Sequence, residues 1–286
     1  MHPLRLGTRG SELAMVQSGL VAQLVTEKTG REVELVTIRT KGDRIVDRPL
    51  SQIGGKGLFT KAIEDAIIDG TVDFAVHSMK DMPSEQPDEL VIGAVPPRAD
   101  PRDGLVGRKL GDLPAGSVVG TGSARRLMQI RRLRPDIEVR GIRGNVDTRI
   151  NKQRSGDYDA VVLAMAGLSR LGRLDEVVQV FAPDEMIPAV GQGALAIQCR
   201  REGPVQEIIS AVHHEPTAIC IAAERAFLET LCGGCSVPAG AYAELVEDEI
   251  VLRAFYASDE DFRSVTLRTD SLHVVPMGQE AARRVR

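Results

Sequence analysis

The segment LRLGTRGSELAMVQ (residues 4–17) carries the pattern on which the fold of this chain depends, because a short apolar run passes through a glycine-containing turn directly into a helical pattern. The segment GTGSARR (residues 120–126) repeats that turn, again with a hydroxyl and an arginine beside it. Such a turn leaves free backbone N–H groups at a helix N-terminus, where anions bind. Serine caps explain either copy alone, but two copies in successive domains favour one anion-binding element in each.

The alternation of strand and helix patterns continues to about residue 200, which predicts an α/β fold with parallel or mixed sheets. The predicted strands are Leu4–Gly7, Val33–Arg39, Phe74–His77, Val91–Val95, Ser117–Gly120, Ile137–Arg140, Ala160–Ala164 and Ala194–Gln198. Apolar residues at three- and four-residue spacing predict two helical faces, Leu13, Val16, Leu20 and Leu24 in one helix and Phe59, Ile63, Ala66 and Ile67 in a second that stops at Gly70.

The domain organisation is predicted from two breaks in this pattern, PPRADPRD (residues 96–103) and PAVGQG (residues 188–193). Two crossings between two lobes indicate a hinged pair with a ligand-binding cleft. After Pro216, a helix over 217–231 and three β-rich runs predict a small α+β domain, the runs being Val237–Leu245, Ile250–Tyr256 and Arg263–Thr269. We therefore predict lobe 1 over 1–96 and 193–214, lobe 2 over 97–192, and a C-terminal domain over 215–286.

The composition limits the function. The 286 residues include 40 acidic and 36 basic side chains, a net charge of −4, with six phenylalanines, three tyrosines and no tryptophan. This composition is not typical of a nucleic-acid-binding protein. No apolar run approaches the ~18 residues of a membrane span, and Arg5 and Arg9 lie where a signal peptide is apolar. Four cysteines are too few for a disulfide scaffold at this length, so we expect a cytoplasmic protein without nucleic-acid or membrane partners.

Basic residues are concentrated between Thr121 and Arg154, where ten of them stand against three acids. A solvated helix face explains some of this run, namely Arg131, Arg132, Arg134 and Arg154. The others that we single out lie in glycine-punctuated turns between strands and helices, where α/β proteins bind ligands: Arg125, Arg126, Arg143 and Arg149. Because guanidinium groups pair with carboxylates and phosphates through two parallel hydrogen bonds, we predict a ligand with many negative charges.

Three further motifs leave their chemistry open. In HSMKDMP (residues 77–83), Lys80 and Asp81 are either an exposed loop pair or a cation beside a general acid–base. The loop GGKG (residues 54–57) is either a bare turn or a mobile lid that carries Lys56. The motif CGGC (residues 232–235) permits a redox pair, a zinc site, a nucleophilic thiolate that forms a covalent attachment, or buried structural cysteines.

In combination, the motifs of this chain resemble those of one family, the hydroxymethylbilane synthases, also called porphobilinogen deaminases. The resemblance runs nearly from end to end and rests on nine motifs in order: TRGSELAMVQ (8–17), GGKGLF (54–59), HSMKD (77–81), DPRDGLV (100–106), GTGSARR (120–126), RGNVDTR (143–149), AGLSRLG (166–172), PAVGQGALAIQCR (188–200) and GGCSVPAG (233–240).

The resemblance implies a fold and a reaction. It implies two lobes like those of periplasmic binding proteins, with mixed sheets and a double hinge, and a small C-terminal α+β domain. That domain would carry a covalent dipyrromethane cofactor on Cys235 rather than Cys232. The implied activity is a transferase of haem and tetrapyrrole biosynthesis. It would join four molecules of porphobilinogen head to tail, with loss of ammonia, and release hydroxymethylbilane by hydrolysis. A monomer without metal is expected.

The resemblance also implies roles for individual residues. Every pyrrole ring bears an acetate and a propionate, which cannot be held in a closed cleft without cations. The side chains implied to bind these carboxylates are Arg9, Ser11, Lys80, Thr121, Ser123, Arg125, Arg126, Arg143, Asn145, Arg149 and Arg170, with Lys56 reaching from the lid. Asp81 would stabilise the positive charge left by the departing ammonia and move protons.

Some positions depart from the family pattern. Gly10 and Gly122 stand where bulkier polar residues are common, and Cys232 is an additional thiol near the attachment site. We also expect a trimmed C-terminal segment, because the third domain is short. Two other classes of protein stay open: a hinge-bending binding protein for a polyanion, which has no use for Asp81 or Cys235, and a zinc- or redox-active CxxC protein.

Overall fold

The computed structural model describes residues 2–39, 60–232, 237–258 and 260–286. The strands within these ranges are β1 Leu4–Thr8, β2 Val33–Thr37, β3 Phe74–Ser78, β4 Leu90–Ala94, β5 Asp103–Gly107, β6 Val118–Gly120, β7 Glu138–Arg140, β8 Ala160–Ala164, β9 Val177–Val180, β10 Leu195–Arg200, β11 Ala239–Val246, β12 Glu249–Ala257 and β13 Phe262–Thr269. The helices are α1 Glu12–Thr29, α2 Lys61–Ile68, α3 Ala124–Leu133, α4 Val146–Arg154, α5 Met165–Arg170, α6 Pro204–Ser210, α7 Glu215–Cys232 and α8 Val274–Val285.

The chain divides into two compact units, each formed from two stretches of sequence. Unit 1 comprises Met1–Arg98 and Ala194–Ala218, and unit 2 comprises Ala99–Gly193 and Ile219–Arg286. The boundaries near residues 98 and 193 fall within the two predicted crossing segments. The finer division into three domains stays a prediction.

Unit 1 is built on a five-stranded sheet in the order β2-β1-β3-β10-β4. Strand β1 pairs in parallel with β2 and β3, whereas β10 is antiparallel to both β3 and β4. Helices α1 and α6 cover one face through Val21, Val25 and Ile209, and α2 covers the other through Ile63 and Ile67. Because both faces are buried, strand β3 is apolar along most of its length rather than alternating.

Unit 2 repeats this strand arrangement in the order β7-β6-β8-β5-β9. Strand β6 is parallel to β7 and β8, and β5 is antiparallel to β8 and β9. Ile130 of α3 packs into the core on one face, while Ile150 of α4 and Leu168 of α5 pack into the core on the other. In each sheet, the inner antiparallel strand is the one that follows a crossing segment, β5 after the first and β10 after the second. The predicted mixed α/β class is confirmed.

The C-terminal part of unit 2 is an antiparallel sheet, β11-β12-β13, packed against α7 and α8. Phe227, Leu252 and Ala281 lie in its core and are fully buried. Gly278 allows α8 to cross α7 closely, because a Cβ at that position would collide with the carbonyl oxygen of Ala223. Helix α8 was not predicted from the sequence, nor were strands β5 and β9.

The apolar face predicted for α1, which comprised Leu13, Val16, Leu20 and Leu24, is correct only in part, because Leu24 packs against the core of unit 1. Leu20 is 49% exposed, and the residues that α1 buries are Gln17, Ser18, Val21 and Val25. The buried face includes polar side chains because the fold supplies them with partners. Ser18 Oγ donates to Thr8 Oγ1 (2.7 Å), and Gln17 Nε2 donates to Ser78 Oγ (3.1 Å). The face predicted for α2 is buried at Ile63, Ala66 and Ile67, and Phe59 lies outside the described residues.

Within the described ranges, no helix has both the length and the apolar character that crossing a bilayer requires.

Candidate functional site

Unit 2 holds a buried cluster of charged side chains around Asp103, the first residue of β5. Asp103 is fully buried, and its Oδ1 accepts hydrogen bonds from Arg126 Nε (3.1 Å) and Arg126 Nη2 (2.7 Å). Its Oδ2 lies 2.8 Å from Arg125 Nη2. Gln192 Nε2 also donates to Oδ1 (2.9 Å). The single carboxylate therefore orients two adjacent guanidinium groups on the first turn of α3.

Backbone carbonyls complete the support of the two arginines. Arg125 Nη1 donates to the carbonyl oxygen of Ile187 (2.7 Å), and Arg126 Nη1 donates to that of Val162 (3.0 Å). Arg125 Nε is nevertheless a buried donor without a hydrogen-bond partner among the described residues. An unsatisfied buried donor of this kind costs about 1–3 kcal/mol.

The electrostatics of the cluster show a surplus of positive charge. Burial raises the pKa of Asp103, but Arg125 and Arg126 outweigh this effect and lower it to about 2. Burial lowers the pKa of Arg125. Burial and repulsion from Arg126 likewise lower the pKa of Arg149. Two buried guanidinium groups thus share one carboxylate, and a third lies within their electrostatic field.

The other predicted binding residues of unit 2 lie at helix N-termini and turns. Ser123 caps α3 by accepting from the backbone N–H of Arg126 (3.4 Å), and Asn145 caps α4 by accepting from that of Thr148 (2.8 Å). Thr121 is buried, and its Oγ1 accepts from the backbone N–H of Ser123 (3.2 Å). The capping interpretation therefore holds for Ser123, and anion binding there stays a prediction.

Three predicted arginines of unit 2 are in no ion pair with a described residue: Arg143, Arg149 and Arg170. Arg143 is exposed. Arg149 Nε donates to the carbonyl oxygen of Gly144 (2.9 Å), and Arg170 Nη2 donates to that of Gly193 (2.8 Å). Burial lowers the pKa of Arg170. Gly144 has a φ of 112°, which favours glycine, and a Cβ there would collide with the side chain of Thr148.

Unit 1 presents the predicted catalytic carboxylate on a short turn. Strand β3 ends at Ser78 and is followed by a 3₁₀ turn, Met79–Asp81. The buried side chains of Met79 and Met82 anchor the turn on both sides, while Lys80 and Asp81 are exposed. Met79 N–H donates to the carbonyl oxygen of Ala194 (3.0 Å). Among the described residues Asp81 is in no ion pair.

Two more predicted residues of unit 1 lie at the start of α1. Arg9 is half-buried in the turn that precedes the helix, and Ser11 occupies the N-cap position. Unlike Ser123, Ser11 makes no side-chain capping bond, and it is exposed. Two predicted residues, Lys56 of the GGKG loop and Cys235 of the CGGC motif, lie outside the described residues, as does the side chain of Cys232.

The remaining cysteines and histidines form no metal centre in the part of the chain that the structure describes. Cys199 and Cys220 are buried, and burial raises the pKa of Cys199 to about 11. His213 and His214 bond to neighbouring groups of unit 1. His213 Nδ1 accepts from the backbone N–H of Val95 (3.2 Å), and His214 Nδ1 lies 2.8 Å from Thr217 Oγ1.

Asp103, Gln192 and Gln17 were not predicted from the sequence as site residues. The motifs DPRDGLV and PAVGQGALAIQCR contain the first two. The only sequence signal for Asp103 was an acid at the end of a proline-rich segment, and its arginine partners lie more than twenty residues farther along the chain.

The comparisons with known proteins agree over most of the chain. A family model described as porphobilinogen deaminase, dipyromethane cofactor binding domain, matches residues 4–207, and the model of the porphobilinogen deaminase C-terminal domain matches residues 218–285.

Among curated relatives, the porphobilinogen deaminase of Syntrophobacter fumaroxidans is 49% identical over 269 residues, covering 91% of this chain and 87% of the relative. That of Exiguobacterium sibiricum is 44% identical over 292 residues, covering 100% and 95%. A solved structure, the immunogenic lipoprotein A of Vibrio vulnificus, is 16% identical with a TM-score of 0.43, over 74% of this chain and 95% of that one; this score is too low to support an inference. On the family models and the curated relatives, the chain belongs to the porphobilinogen deaminase family.

Proposed function

We propose that this chain is the transferase that joins four porphobilinogen molecules head to tail, with loss of ammonia, on a covalently held dipyrromethane, and then releases hydroxymethylbilane by hydrolysis. Membership in the family and the match to its cofactor-binding domain support this reaction. The structural observation that carries the proposal is the buried surplus of guanidinium charge around Asp103 in unit 2.

The residues of this cluster fit a ligand with several carboxylates. Arg125 and Arg126 share one carboxylate, and Arg125 Nε lacks an acceptor among the described residues. A buried charge without a partner costs several kcal/mol, whereas hydrogen bonds to charged groups contribute about 1.5–3 kcal/mol each. An acetate or propionate near these groups would therefore offset the cost of burying them.

We assign the carboxylate-binding role to the polar residues of both units, namely Arg9, Ser11, Lys80, Thr121, Ser123, Arg125, Arg126, Arg143, Asn145, Arg149 and Arg170, together with Lys56. The caps are compatible with this role. Ser123 Oγ accepts from the backbone of α3 and keeps its hydroxyl proton for a ligand, and Asn145 Oδ1 accepts while its amide group keeps two N–H donors. Arg149 and Arg170 keep donors beyond those that bond to backbone carbonyls.

The attachment of dipyrromethane is assigned to Cys235. When bound, this group supplies the pyrrole carbon onto which the first substrate is joined. The thiol of Cys199 is an unsuitable alternative, because it is fully buried in the unit 1 core and has a raised pKa.

The proton and charge chemistry is assigned to Asp81. Loss of ammonia from the aminomethyl carbon of porphobilinogen leaves a cation, and a carboxylate fixed beside it stabilises the charge as it develops. The same oxygen atoms accept and return protons during deamination and after carbon–carbon bond formation. The anchoring of the turn by Met79 and Met82 keeps this carboxylate in place while leaving it exposed.

We also propose that the protein is a cytoplasmic monomer that acts on porphobilinogen and binds neither nucleic acid nor membrane. The net charge of −4 and the scarcity of aromatic residues support the second part.

Intact-mass measurement of the purified chain, followed by peptide mapping, tests the proposed function. We expect a dipyrrole-sized increment on the peptide that contains Cys235. An unmodified thiol would favour the polyanion-binding protein, and bound metal or a loss of two hydrogens would favour the zinc or redox protein.

A further inference from the structure

A chain of hydrogen bonds runs beneath the Met79–Asp81 turn of unit 1. His77 Nε2, on β3, lies 3.1 Å from Gln198 Oε1, on β10. Gln198 Nε2 donates to Gln86 Oε1 (2.6 Å), and Gln86 Nε2 donates to the carbonyl oxygen of Pro83 (2.9 Å). The chain thus joins the centre of the sheet to the loop that follows Asp81.

The direction of every bond in this chain follows from its last acceptor. A carbonyl oxygen only accepts, so the Gln86 atom that faces Pro83 is the amide nitrogen. The Gln86 oxygen then accepts from the Gln198 nitrogen, which leaves the Gln198 oxygen to accept from His77. His77 therefore carries its proton on Nε2. Burial, with repulsion from Arg9, lowers the pKa of His77 to about 4, which keeps the ring neutral at pH 7.

Because these side chains are buried, the series of hydrogen bonds is sensitive to the loss of any one of them. Gln198 is fully buried and His77 is buried. In a low-dielectric interior, removal of one partner leaves the remaining polar groups without hydrogen bonds. These groups then either move toward water or destabilise the folded state. Gln86 is half-buried and is the member nearest the surface.

The same hydrogen bonds also complete the attachment of the Met79–Asp81 turn to the region of β10. On the side before Asp81, the backbone N–H of Met79 donates to the carbonyl oxygen of Ala194, just ahead of β10. On the side after Asp81, the side chain of Gln198 holds the 83–86 loop through Gln86. The turn is thereby held to one region of the chain at both of its ends.

We propose that Gln86 and Gln198 are positioning residues that fix the turn bearing Asp81, and that His77 completes their hydrogen bonds by donating from Nε2. This inference rests on the proposed function of Asp81. It assigns to three uncharged side chains an effect on turnover that they exert through the backbone of the turn.

The substitution Gln86→Met tests the inference, because it keeps the length of the side chain and removes its hydrogen bonds to Gln198 and to the carbonyl oxygens of Pro83 and Glu85. Gln23→Met is the matched control, since Gln23 is an exposed residue of α1 in the same unit whose amide nitrogen donates to Glu27 Oε1. In Gln86→Met we expect amide hydrogen exchange of residues 79–86 to be at least fivefold faster than in the native protein, both measured on the full chain as purified. In the loaded enzyme we expect kcat to fall about tenfold with KM changed less than twofold. The control should change neither.

A double-mutant cycle with Asp81→Asn separates this inference from the proposed function. If the hydrogen bonds of Gln86 affect turnover through Asp81, adding Gln86→Met to Asp81→Asn lowers turnover no further. Near-normal turnover of Asp81→Asn, with faster exchange in Gln86→Met, would reject the role of Asp81 and leave the structural attachment of the turn standing. An inactive Asp81→Asn, with unchanged exchange and kcat in Gln86→Met, would overturn the inference alone.

Nitrogen NMR of the His77 ring adds a readout that is independent of activity. We expect the proton on Nε2 in the native chain at pH 7. A proton on Nδ1 would contradict the direction of the hydrogen bonds and overturn the inference.

Discussion

The carboxylates of Asp103 in unit 2 and Asp81 in unit 1 lie in opposite environments. Asp103 is fully buried and shares its oxygen atoms between Arg125 and Arg126. Asp81 is exposed on a turn anchored by buried methionines and is in no ion pair with a described residue. A carboxylate that already has two cationic partners organises its surroundings, whereas one without such a partner is available for a reacting group. We therefore expect Asp103 to control stability and binding, and Asp81 to control turnover.

The largest effect is expected from Asp81→Asn. An amide has nearly the same shape as the carboxylate, but it carries no charge and does not act as a base. Turnover of porphobilinogen should fall by about 10²–10⁴-fold, the range typical of a lost general acid–base. The free energy of unfolding should change by less than about 0.5 kcal/mol, as for an exposed residue. Steady-state kinetics and urea denaturation measure the two quantities, and near-normal turnover would refute the assignment.

Asp103→Asn should show the reverse pattern. Because it leaves Arg125 and Arg126 buried without a counter-charge, we expect a loss of about 3–5 kcal/mol in the free energy of unfolding. The pKa of Asp103 is lowered to about 2, so its contribution to stability is present above the unfolded pKa of 3.8 and disappears as the pH falls through 2. Urea denaturation at several pH values checks both statements. Unchanged stability would show that the cluster does not depend on this charge.

His77 should produce a pH dependence in unit 1. Its folded pKa of about 4 is lower than the unfolded value of 6.5, so the unfolded state binds more protons between these values. Stability should therefore rise by about 3 kcal/mol from pH 4 to pH 6.5 and stay level above that range. The slope should be smaller in His77→Asn. Equal slopes in the native protein and in His77→Asn would contradict the burial of a neutral His77.

A smaller effect is expected from Arg126→Lys. Lysine keeps the charge but cannot reproduce the hydrogen bonds to Asp103 and to the carbonyl oxygen of Val162 at the same time. We expect a loss of about 1–3 kcal/mol in stability, as for one buried donor or acceptor left unsatisfied, and weaker retention of porphobilinogen as a higher KM. Unchanged kinetics would show that net charge alone matters at this position.

The parts of the fold that the sequence predicted are those determined by local patterns. Apolar runs such as Ala160–Ala164 were recognised as strands, because a strand buried on both faces is apolar along its length. The buried face of α1 was predicted only in part, since Gln17 and Ser18 become buried only when Ser78 and Thr8 are placed beside them. The polar character of a residue does not indicate which hydrogen-bond partners the fold will bring to it from distant parts of the sequence.

The candidate site shows the same limit. The arginine-rich run indicated an anionic ligand, and the resemblance to the family supplied Asp81 and Cys235. Neither source indicated that Arg125 and Arg126 share a buried carboxylate. Asp103 lies on strand β5, whereas the two arginines lie on helix α3, so their contact depends on the tertiary fold. Gln198 likewise faces His77 only through the pairing of β10 with β3.

The most direct test of the central claim, that the chain holds a pyrrole group on Cys235 within a cation-rich site, is the colour reaction of the purified protein with Ehrlich's aldehyde reagent. We predict a coloured product with the native chain after incubation with porphobilinogen and gel filtration, and none with Cys235→Ser. A colourless native protein would contradict the account.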